Sequence, residues 1–221
     1  MAAAADLGKP DALPRKMPRE ERRLQLIEAT ITVLAANGYA RTTMSEVARA
    51  AGLSHGLVNF HFQSKENLLL ETLLYLSAEY RQNWAEAMAN SGPDAAEQIY
   101  ALIRADFNPR ICTPERLATW CAFWGEAQSR PIYQEHCGAN DDAYNADMER
   151  LCAVMISKHG YSGNTTRIAR TLRVTVEGVW MDMMTMTNPY SRDEALATVM
   201  TAAAAFFPRH FDVNGLTDPQ L

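Results

Sequence analysis

The sequence lacks any long hydrophobic run. Hydrophobic residues make up 48% of the 221-residue chain, yet no uninterrupted apolar stretch approaches the ~20 residues that a membrane-spanning helix requires. Ala2–Ala5 are followed directly by Asp6, so the first residues contain no apolar segment of the kind found in a signal peptide. We therefore expect a cytoplasmic protein that makes no contact with a membrane.

The motifs of common enzyme and metal sites are also missing. There is no glycine-rich phosphate loop, no Gly-x-Ser-x-Gly and no His-Glu-x-x-His. The cysteines form no Cys-x-x-Cys pair and have no histidine at metal-ligand spacing, so we interpret them as reduced thiols in or near a helical core. They are Cys112, Cys121, Cys137 and Cys152. Asp141 and Asp142 are adjacent, but neighbours on a helix point apart, and we interpret them as a solvated helix start. We predict no enzymatic activity, no metal and no cofactor.

Sustained alternation of apolar and polar residues, the pattern of half-buried strands, is absent too. The abundance of Ala, Leu, Met, Glu and Arg favours helix instead. Apolar periodicity and Gly or Pro separators predict an all-α fold of about nine helices. The predicted helices cover about 18–37, 43–51, 56–61, 64–90, 94–107, 114–129, 131–159, 165–187 and 191–207.

Charge is distributed unevenly along the chain. The net charge of −5 argues at first against a nucleic-acid partner. However, residues 1–68 carry nine Lys/Arg against seven Asp/Glu, a net of +2, whereas residues 69–221 carry twelve against nineteen, a net of −7. Basic residues are dense near the start, at Arg15, Lys16, Arg19, Arg22 and Arg23. This asymmetry indicates a small nucleic-acid module on an acidic body, with a solvated charged tail as the alternative. We predict that residues 1–17 form a flexible basic arm.

Two short helices joined by a glycine-bearing turn predict a helix-turn-helix. Gly52 stands in the turn, where a positive φ favours glycine. Gly56 lies near the start of the second helix, so that helix can sit deep in a major groove with its N-terminal residues on base edges. The candidates for base contacts are His55, Leu57, Asn59 and Phe60.

Phosphate contacts are expected from polar and basic residues around the two short helices. The candidates are Arg22, Arg23, Thr43, Ser54, His61 and Lys65. Backbone N–H groups at the helix N-termini add to them. For His61 a packing role beside Phe62 is an equal alternative.

The stretch from Thr42 to Leu68 resembles the DNA-binding signature of the TetR family of bacterial regulators. The shared elements are Thr-x-x-x-(Val/Ile)-Ala, Ala-Gly-(Val/Leu)-Ser, a glycine two residues after that serine, and His-Phe-x-Ser-Lys-Glu-x-Leu. The resemblance implies a DNA-binding domain over residues 18–65 and an effector-binding and dimerisation domain over 66–221. Most members have a tyrosine on the phosphate backbone where Asn59 stands, so a base-contacting role gains weight for Asn59.

Aromatic residues form a second pattern. Trp120, Phe123 and Trp124 recur at i, i+3 and i+4 on one helix face, and Glu177 and Trp180 are three apart on a later helix. Aromatic faces beside a carboxylate suit a quaternary ammonium ion, which cation–π contacts hold with ~0.5–2 kcal/mol per ring. Ordinary core packing is the alternative for such a stripe.

These elements, with Pro131 after the first and Gly178 within the second, look like the choline-responsive BetI repressors. In that subfamily the repressor controls genes that convert choline to glycine betaine, and choline relieves repression. The resemblance implies a ligand pocket formed by Phe107, Trp120, Phe123, Trp124, Tyr144, Glu177 and Trp180. A multidrug-type repressor that binds other lipophilic cations is the alternative.

The last two predicted helices are rich in small and flexible apolar residues. They include Val176, Val179, Met183, Met184, Met186, Ala195, Val199, Ala202, Ala203 and Phe206. Isolated helices with such faces would expose more apolar surface than water tolerates. TetR members pair these helices in a two-fold four-helix bundle, so we predict a homodimer that binds a palindromic operator in double-stranded DNA. The alternative is a buried monomer core.

Overall fold

The computed structural model describes residues 18–127 and 131–217, so the predicted basic arm lies outside the described residues. Within them the chain forms nine helices and one short hairpin, which confirms the all-α prediction. The helices are α1 Arg19–Asn37, α2 Met44–Ala50, α3 His55–Phe62, α4 Lys65–Ala89, α5 Ala95–Asp106, α6 Pro114–Ala127, α7 Pro131–His159, α8 Thr165–Thr185 and α9 Arg192–Phe206. The hairpin was not predicted, because β1 Phe211–Asp212 and β2 Gly215–Leu216 are too short to show alternation.

Predicted cap residues begin the helices of the N-terminal unit. Thr43 caps α2 and forms a capping box with Glu46, while Ser54 and Ser64 cap α3 and α4 through their hydroxyl oxygens. Gly52 adopts φ +67°, the left-handed conformation expected in the turn between α2 and α3. Local side-chain chemistry therefore sets the spacing of the two short helices.

Two hydrophobic clusters form the core. The first joins α1, α2, α3 and the N-terminal half of α4, with Trp120 and Phe123 of α6 and Cys137 of α7. The second joins the remainder of α4 to α5, α7, α8, α9 and the hairpin, and Leu117 of α6 belongs to it. Helix α6 thus contributes side chains to both clusters, and it packs extensively against α1.

All four cysteines are free, as predicted, with three buried and Cys121 half-buried. Burial raises the pKa of Cys112 and Cys137 to about 11, so these thiols stay protonated at neutral pH. No helix in the described part of the chain has an apolar stretch of the length needed to cross a membrane.

Half of the ten apolar residues predicted to form the dimer surface are buried inside the chain's own core, so the prediction is wrong for these five. The buried ones are Val176, Val179, Ala195, Val199 and Ala203. Helix α8 packs between α7 and α9 and therefore buries this face. Its exposed face instead carries Val174, Gly178 and Met181, and the exposed positions on α9 include Thr198, Thr201 and Ala205.

Candidate functional site

The exposed face of α3 carries most of the predicted base-contacting residues. His55, Gly56 and Asn59 are exposed, and Phe60 is 65% exposed. The Phe60 ring thus presents an apolar surface to solvent on the same helix as the polar side chains of His55 and Asn59. Leu57 is half-buried on the side of this face. The opposite face is anchored in the core by buried side chains, Val58 and Phe62 among them.

Gly56, on the exposed face of α3, has open space where a side chain would begin. A methyl group added there would meet only the Ser54 Oγ, at 4.0 Å. Nothing within the chain therefore requires a glycine at this position. Close approach of another molecule is a physical reason to have one.

The hydroxyl groups of Thr43 and Ser54 are engaged as helix caps. Thr43 Oγ1 accepts from the backbone N–H of Glu46 and donates to its carboxylate, and Ser54 Oγ accepts from the N–H of Leu57. Both side chains are exposed, so a phosphate can still meet the free N–H groups of the helix ends that they mark.

Three of the predicted basic phosphate ligands also make contacts within the chain. Arg23 pairs with Glu71 at 2.9 Å and lies 4.8 Å from the centroid of the Phe62 ring. Lys65 donates to the carbonyl of Ala40 at 3.1 Å. These contacts hold α1 and the α1–α2 turn against α4. Arg22 is half-buried and donates to Gln25 within α1.

His61 is 5% exposed and turns away from the exposed face of α3. Burial, with the nearby positive charges of Arg19 and Arg23, lowers its pKa, so the imidazole is neutral at physiological pH. Its Nδ1 has no hydrogen-bond partner among the described residues. The structure therefore favours the packing role over the phosphate contact.

A small cavity lies among α4, α5, α6, α7 and α8. Its volume is about 30 Å³, and its lining combines aromatic rings with charged groups. The lining residues are Tyr80, Asp106, Trp120, Trp124, Asp141, Tyr144, Arg173, Val176, Glu177 and Trp180. The structure thus brings together five of the seven residues predicted for the ligand pocket.

The aromatic walls come from four helices, α4, α6, α7 and α8. Trp124 and Trp180 are nearly parallel, with an interplanar angle of 11° and centroids 6.4 Å apart, and Trp120 is stacked on Trp124 at 6.3 Å. Tyr80 meets Trp120 and Trp180 edge-on, at 6.3 and 6.0 Å. Faces and edges of these rings surround one small space, an arrangement suited to an organic cation.

Phe123 and Phe107 do not line this cavity. Successive helical residues differ by about 100° in direction, so Phe123 points toward α1 while Trp124 points toward α8. Phe123 packs edge-on against Tyr39, with centroids 5.9 Å apart. Phe107 is buried at the end of α5 and lines a separate polar groove beside Tyr100 and Arg192. We therefore remove both from the candidate pocket.

Glu177, the predicted counter-charge for a cation, is paired within the chain. The Nε of Arg173 lies 2.9 Å from Glu177 Oε1, and another guanidinium nitrogen lies 3.2 Å from Asp141 Oδ1. Asp141 lies in the middle of α7 and faces this guanidinium, so its interpretation as a solvated helix start was wrong. We call Arg173, Asp141 and Glu177 the rim triad. One guanidinium meets two carboxylates, which leaves the triad with one negative charge.

Asp106 is a carboxyl group that the sequence analysis missed. It is completely buried at the end of α5, and its two oxygens each accept a hydrogen bond of 2.8 Å, one from Tyr80 and one from Tyr144. Burial raises the pKa of Asp106 to about 7, although the two phenol donors oppose the shift. Near neutral pH both its charged and its neutral forms are therefore populated.

The cavity and the N-terminal helices are joined through α6. One helical turn before Trp120, Arg116 bonds to Glu79 of α4 at 2.7 Å and to Glu28 of α1 at 3.1 Å. The Thr119 hydroxyl shares its hydrogen between the carbonyl of Glu115 at 2.8 Å and the carbonyl of Ile31 in α1 at 3.2 Å. The helix that supplies two cavity tryptophans is thus bonded directly to the first helix of the chain.

Two family models match the chain. "Bacterial regulatory proteins, tetR family" matches residues 26–72, and "BetI-type transcriptional repressor, C-terminal" matches residues 95–208. The chain belongs to the BetI-type repressors of the TetR family. TetR regulators bind DNA, form dimers and bind small-molecule effectors. Its relatives are transcriptional regulators and not enzymes, in agreement with the sequence analysis.

Individual relatives cover most of this BetI-type chain. It is 30% identical to the HTH-type transcriptional regulator BetI of Agrobacterium fabrum, over 80% of this chain and 84% of that protein. It is 28% identical to BetI of Paraburkholderia xenovorans, over 84% of this chain and 93% of that protein. A transcriptional regulator of Saccharomonospora viridis, solved in complex with choline, has the same fold, with a TM-score of 0.70 and 19% identity over 82% of this chain and 94% of that one.

Proposed function

We propose that this BetI-type regulator is a repressor of glycine betaine synthesis from choline, and that choline bound in the cavity lowers its affinity for the operator. The observation that carries the proposal is the cavity itself. Stacked indole rings of Trp120, Trp124 and Trp180 lie beside a rim triad with one net negative charge. A quaternary ammonium has no N–H to donate, so ring faces and a nearby negative charge are the groups that can hold it.

The size of the cavity favours a small cation over the bulky lipophilic cations of a multidrug-type repressor. A volume of about 30 Å³ leaves room for few atoms unless side chains move. Pockets that enclose drug-sized molecules are typically about 300–1,000 Å³. The choline complex of the Saccharomonospora viridis regulator supports the same choice of ligand, since that protein shares the fold.

For DNA, we propose that the exposed face of α3 enters the major groove. Asn59 and His55 carry polar groups for base edges, Phe60 provides an apolar surface for thymine methyl groups, and Gly56 permits close approach. Arg22, Arg23 and Lys65 add positive charge near the phosphates, and Arg23 and Lys65 also hold the helices in place.

We propose that two chains associate through the exposed faces of α8 and α9. Val174 and Met181 are 56% and 51% exposed, and Gly178 between them lets another helix approach closely. Small residues on α9 continue this surface at Thr198, Thr201 and Ala205. A two-fold dimer would present two α3 helices to the half-sites of a palindromic operator.

Coupling between the two sites would run through α6 as well as α4. A cation between the indoles displaces or fixes Trp120 and Trp124, and therefore biases the position of α6. The bonds of Arg116 and Thr119 carry that bias to α1. Choline changes operator affinity only if it binds the two arrangements of α6 with different affinity.

The test is a fluorescence titration of the purified protein with choline, combined with operator binding. The operator is a duplex that the protein itself selects from random sequences. We expect choline to quench tryptophan emission saturably and to weaken binding of the protein to this duplex. The same titration with a bulky planar dye cation tests the multidrug alternative. Quenching by the dye without quenching by choline would reject choline as the effector.

A further inference from the structure

We infer that Asp106 is the counter-charge for the bound cation and that cation binding expels a proton from its carboxyl group, so that the response to effector strengthens with rising pH. This inference rests on the proposed function, because it concerns the same cavity. It assigns a role to a residue that neither the aromatic pattern nor the rim triad accounts for.

The rim triad attracts a further cation less strongly than a lone carboxylate would. Arg173 is bonded to both Glu177 and Asp141, so a cation close to those carboxylates also meets a guanidinium. The positive charge of Arg173 offsets much of their field. An ion pair that is already formed has less to gain from a further positive charge than a lone carboxylate has.

Asp106 is such a lone carboxylate. It is completely buried, it lines the cavity, and no ammonium or guanidinium contacts it among the described residues. Its partners, the hydroxyl groups of Tyr80 and Tyr144, are neutral donors that stabilise the charge without neutralising it. A charge removed from water without a compensating partner is costly, so the carboxyl holds a proton more firmly than usual.

The charged and titratable groups around Asp106 come from every helix that faces it. Tyr80 belongs to α4, Asp141 and Tyr144 to α7, and Arg173 and Glu177 to α8. The thiol of Cys112, after α5, is close enough for its pKa to respond to Asp106, and burial keeps it protonated. Helix α6 contributes only indoles to the lining, and none of the lining residues is a histidine. Asp106 is therefore the cavity group that titrates near neutral pH.

The charge of the ligand determines whether proton binding and cation binding oppose each other. A quaternary ammonium stabilises the carboxylate and not the neutral acid, so the cation binds the deprotonated form preferentially. Below the pKa of Asp106 in the empty cavity, which burial raises to about 7, binding must first remove the proton. The apparent dissociation constant should then be about tenfold higher at pH 6 than at pH 8.

The experiment measures binding of choline and of tetramethylammonium to the full chain at pH 6 and pH 8 by calorimetry in two buffers of different ionisation enthalpy. We expect release of nearly one proton per cation at pH 6 and of almost none at pH 8. The neutral isostere 3,3-dimethyl-1-butanol has a carbon in place of nitrogen, and its weak binding should show no dependence on pH. These measurements use the wild-type chain alone.

Variants then identify the residue that releases the proton. Asp106→Asn should lower choline affinity at pH 8 by at least about tenfold and abolish the pH dependence. Glu177→Gln should keep the pH dependence, as should the exposed control Asp142→Asn. Tyr80→Phe and Tyr144→Phe each remove one donor to the carboxylate, so each should move the midpoint of the pH dependence upward.

The outcomes separate the inference from the proposed function. Tetramethylammonium binding with the expected proton release, but no binding of choline, would reject choline as effector and support the role of Asp106. Cation binding by the wild-type chain without proton release, or an unchanged pH dependence in folded Asp106→Asn, would overturn the inference and leave the choline proposal standing. Binding of neither cation would overturn both.

Discussion

Arg116 of α6 lies 3.1 Å from Glu28 of α1, and the same guanidinium is held by Glu79 of α4 at 2.7 Å. One arginine thus joins three helices, one of them the first helix of the DNA-binding unit. Arg116 is 15% exposed, so these bonds are largely shielded from water. Arg116 lies one helical turn from Trp120. Substitution of Arg116 therefore tests whether this contact couples choline binding in the cavity to operator binding.

Replacing Arg116 with methionine should weaken communication without removing the cavity. Methionine keeps the apolar stem but leaves Glu79 partly buried without its partner, which costs roughly 1–3 kcal/mol of stability. Choline should still quench tryptophan fluorescence. The coupling free energy between choline and operator, ~1–3 kcal/mol in such regulators, should fall clearly below the wild-type value. Operator titrations with and without choline measure it.

The matched control is Arg150→Met, because Arg150 forms an exposed ion pair within α7 at 2.9 Å. Exposed pairs contribute about 0–1 kcal/mol, so both stability and coupling should stay close to wild type. Full coupling in Arg116→Met, with a wild-type response to choline, would show that α6 does not transmit the signal through this bond.

Two neighbouring aromatic residues should behave differently when each is replaced by leucine. Trp124→Leu removes a ring of the cavity wall and should weaken choline binding by about 2- to 30-fold, the equivalent of 0.5–2 kcal/mol. Phe123→Leu removes an edge-on partner of Tyr39 and should lower the free energy of unfolding by about 0.5–1.5 kcal/mol. Its choline affinity should stay near wild type. Equal losses of choline affinity would contradict the separation of the two side chains.

Gly56→Ala should separate stability from DNA binding. Alanine adds a methyl group that meets nothing closer than 4.0 Å within the chain, and it favours helix by ~0.5–1 kcal/mol, so the melting temperature should hold or rise. Operator affinity should nevertheless fall, because the methyl group would stand between α3 and the DNA. Gly138→Ala, with no atoms near its added methyl group, is the control that should keep operator affinity. Unchanged operator binding by Gly56→Ala would count against the proposed docking face.

The sequence predicted the helices well because their boundaries are local. Thr43, Ser54 and Ser64 cap helices through groups three residues away, and Gly52 sets a turn by its own backbone conformation. Such signals need no knowledge of tertiary structure.

The candidate cavity was predicted only in part because its chemistry is tertiary. The shared helix face of Trp120 and Trp124 was visible from their spacing, but the direction of Phe123 depends on where α1 and α8 lie. The carboxyl group of Asp106 accepts hydrogen bonds from Tyr80 and Tyr144 on two other helices. The carboxylate of Glu177 is paired with the guanidinium of Arg173. No periodic pattern in one segment could show these pairings.

The exposed face of α8 should carry the dimer contact. Met181→Glu places a charge on a side chain that is 51% exposed in the single chain, and burying that charge between two chains without a partner would be costly. We expect a monomer by analytical ultracentrifugation and a large loss of operator affinity. Val213→Glu, at a 48% exposed apolar position of the hairpin, should remain dimeric. A dimeric Met181→Glu protein would exclude this face.

The stability of the chain without effector should depend on pH through Asp106. Burial raises the pKa of this carboxyl from 3.8 to about 7, so between those values the folded chain binds a proton that the unfolded chain has lost. Stability from this group is therefore present at low pH and is lost as pH rises through 7. From pH 6 to pH 8 the loss should be about 1.4 kcal/mol. The Asp106→Asn protein has no titrating group at this position. Between pH 6 and pH 8 its free energy of unfolding, measured with urea, should therefore fall by about 1.4 kcal/mol less than that of the wild type. An identical pH dependence in both proteins would mean that Asp106 is ionised throughout this range, and saturating choline would then have no proton to displace.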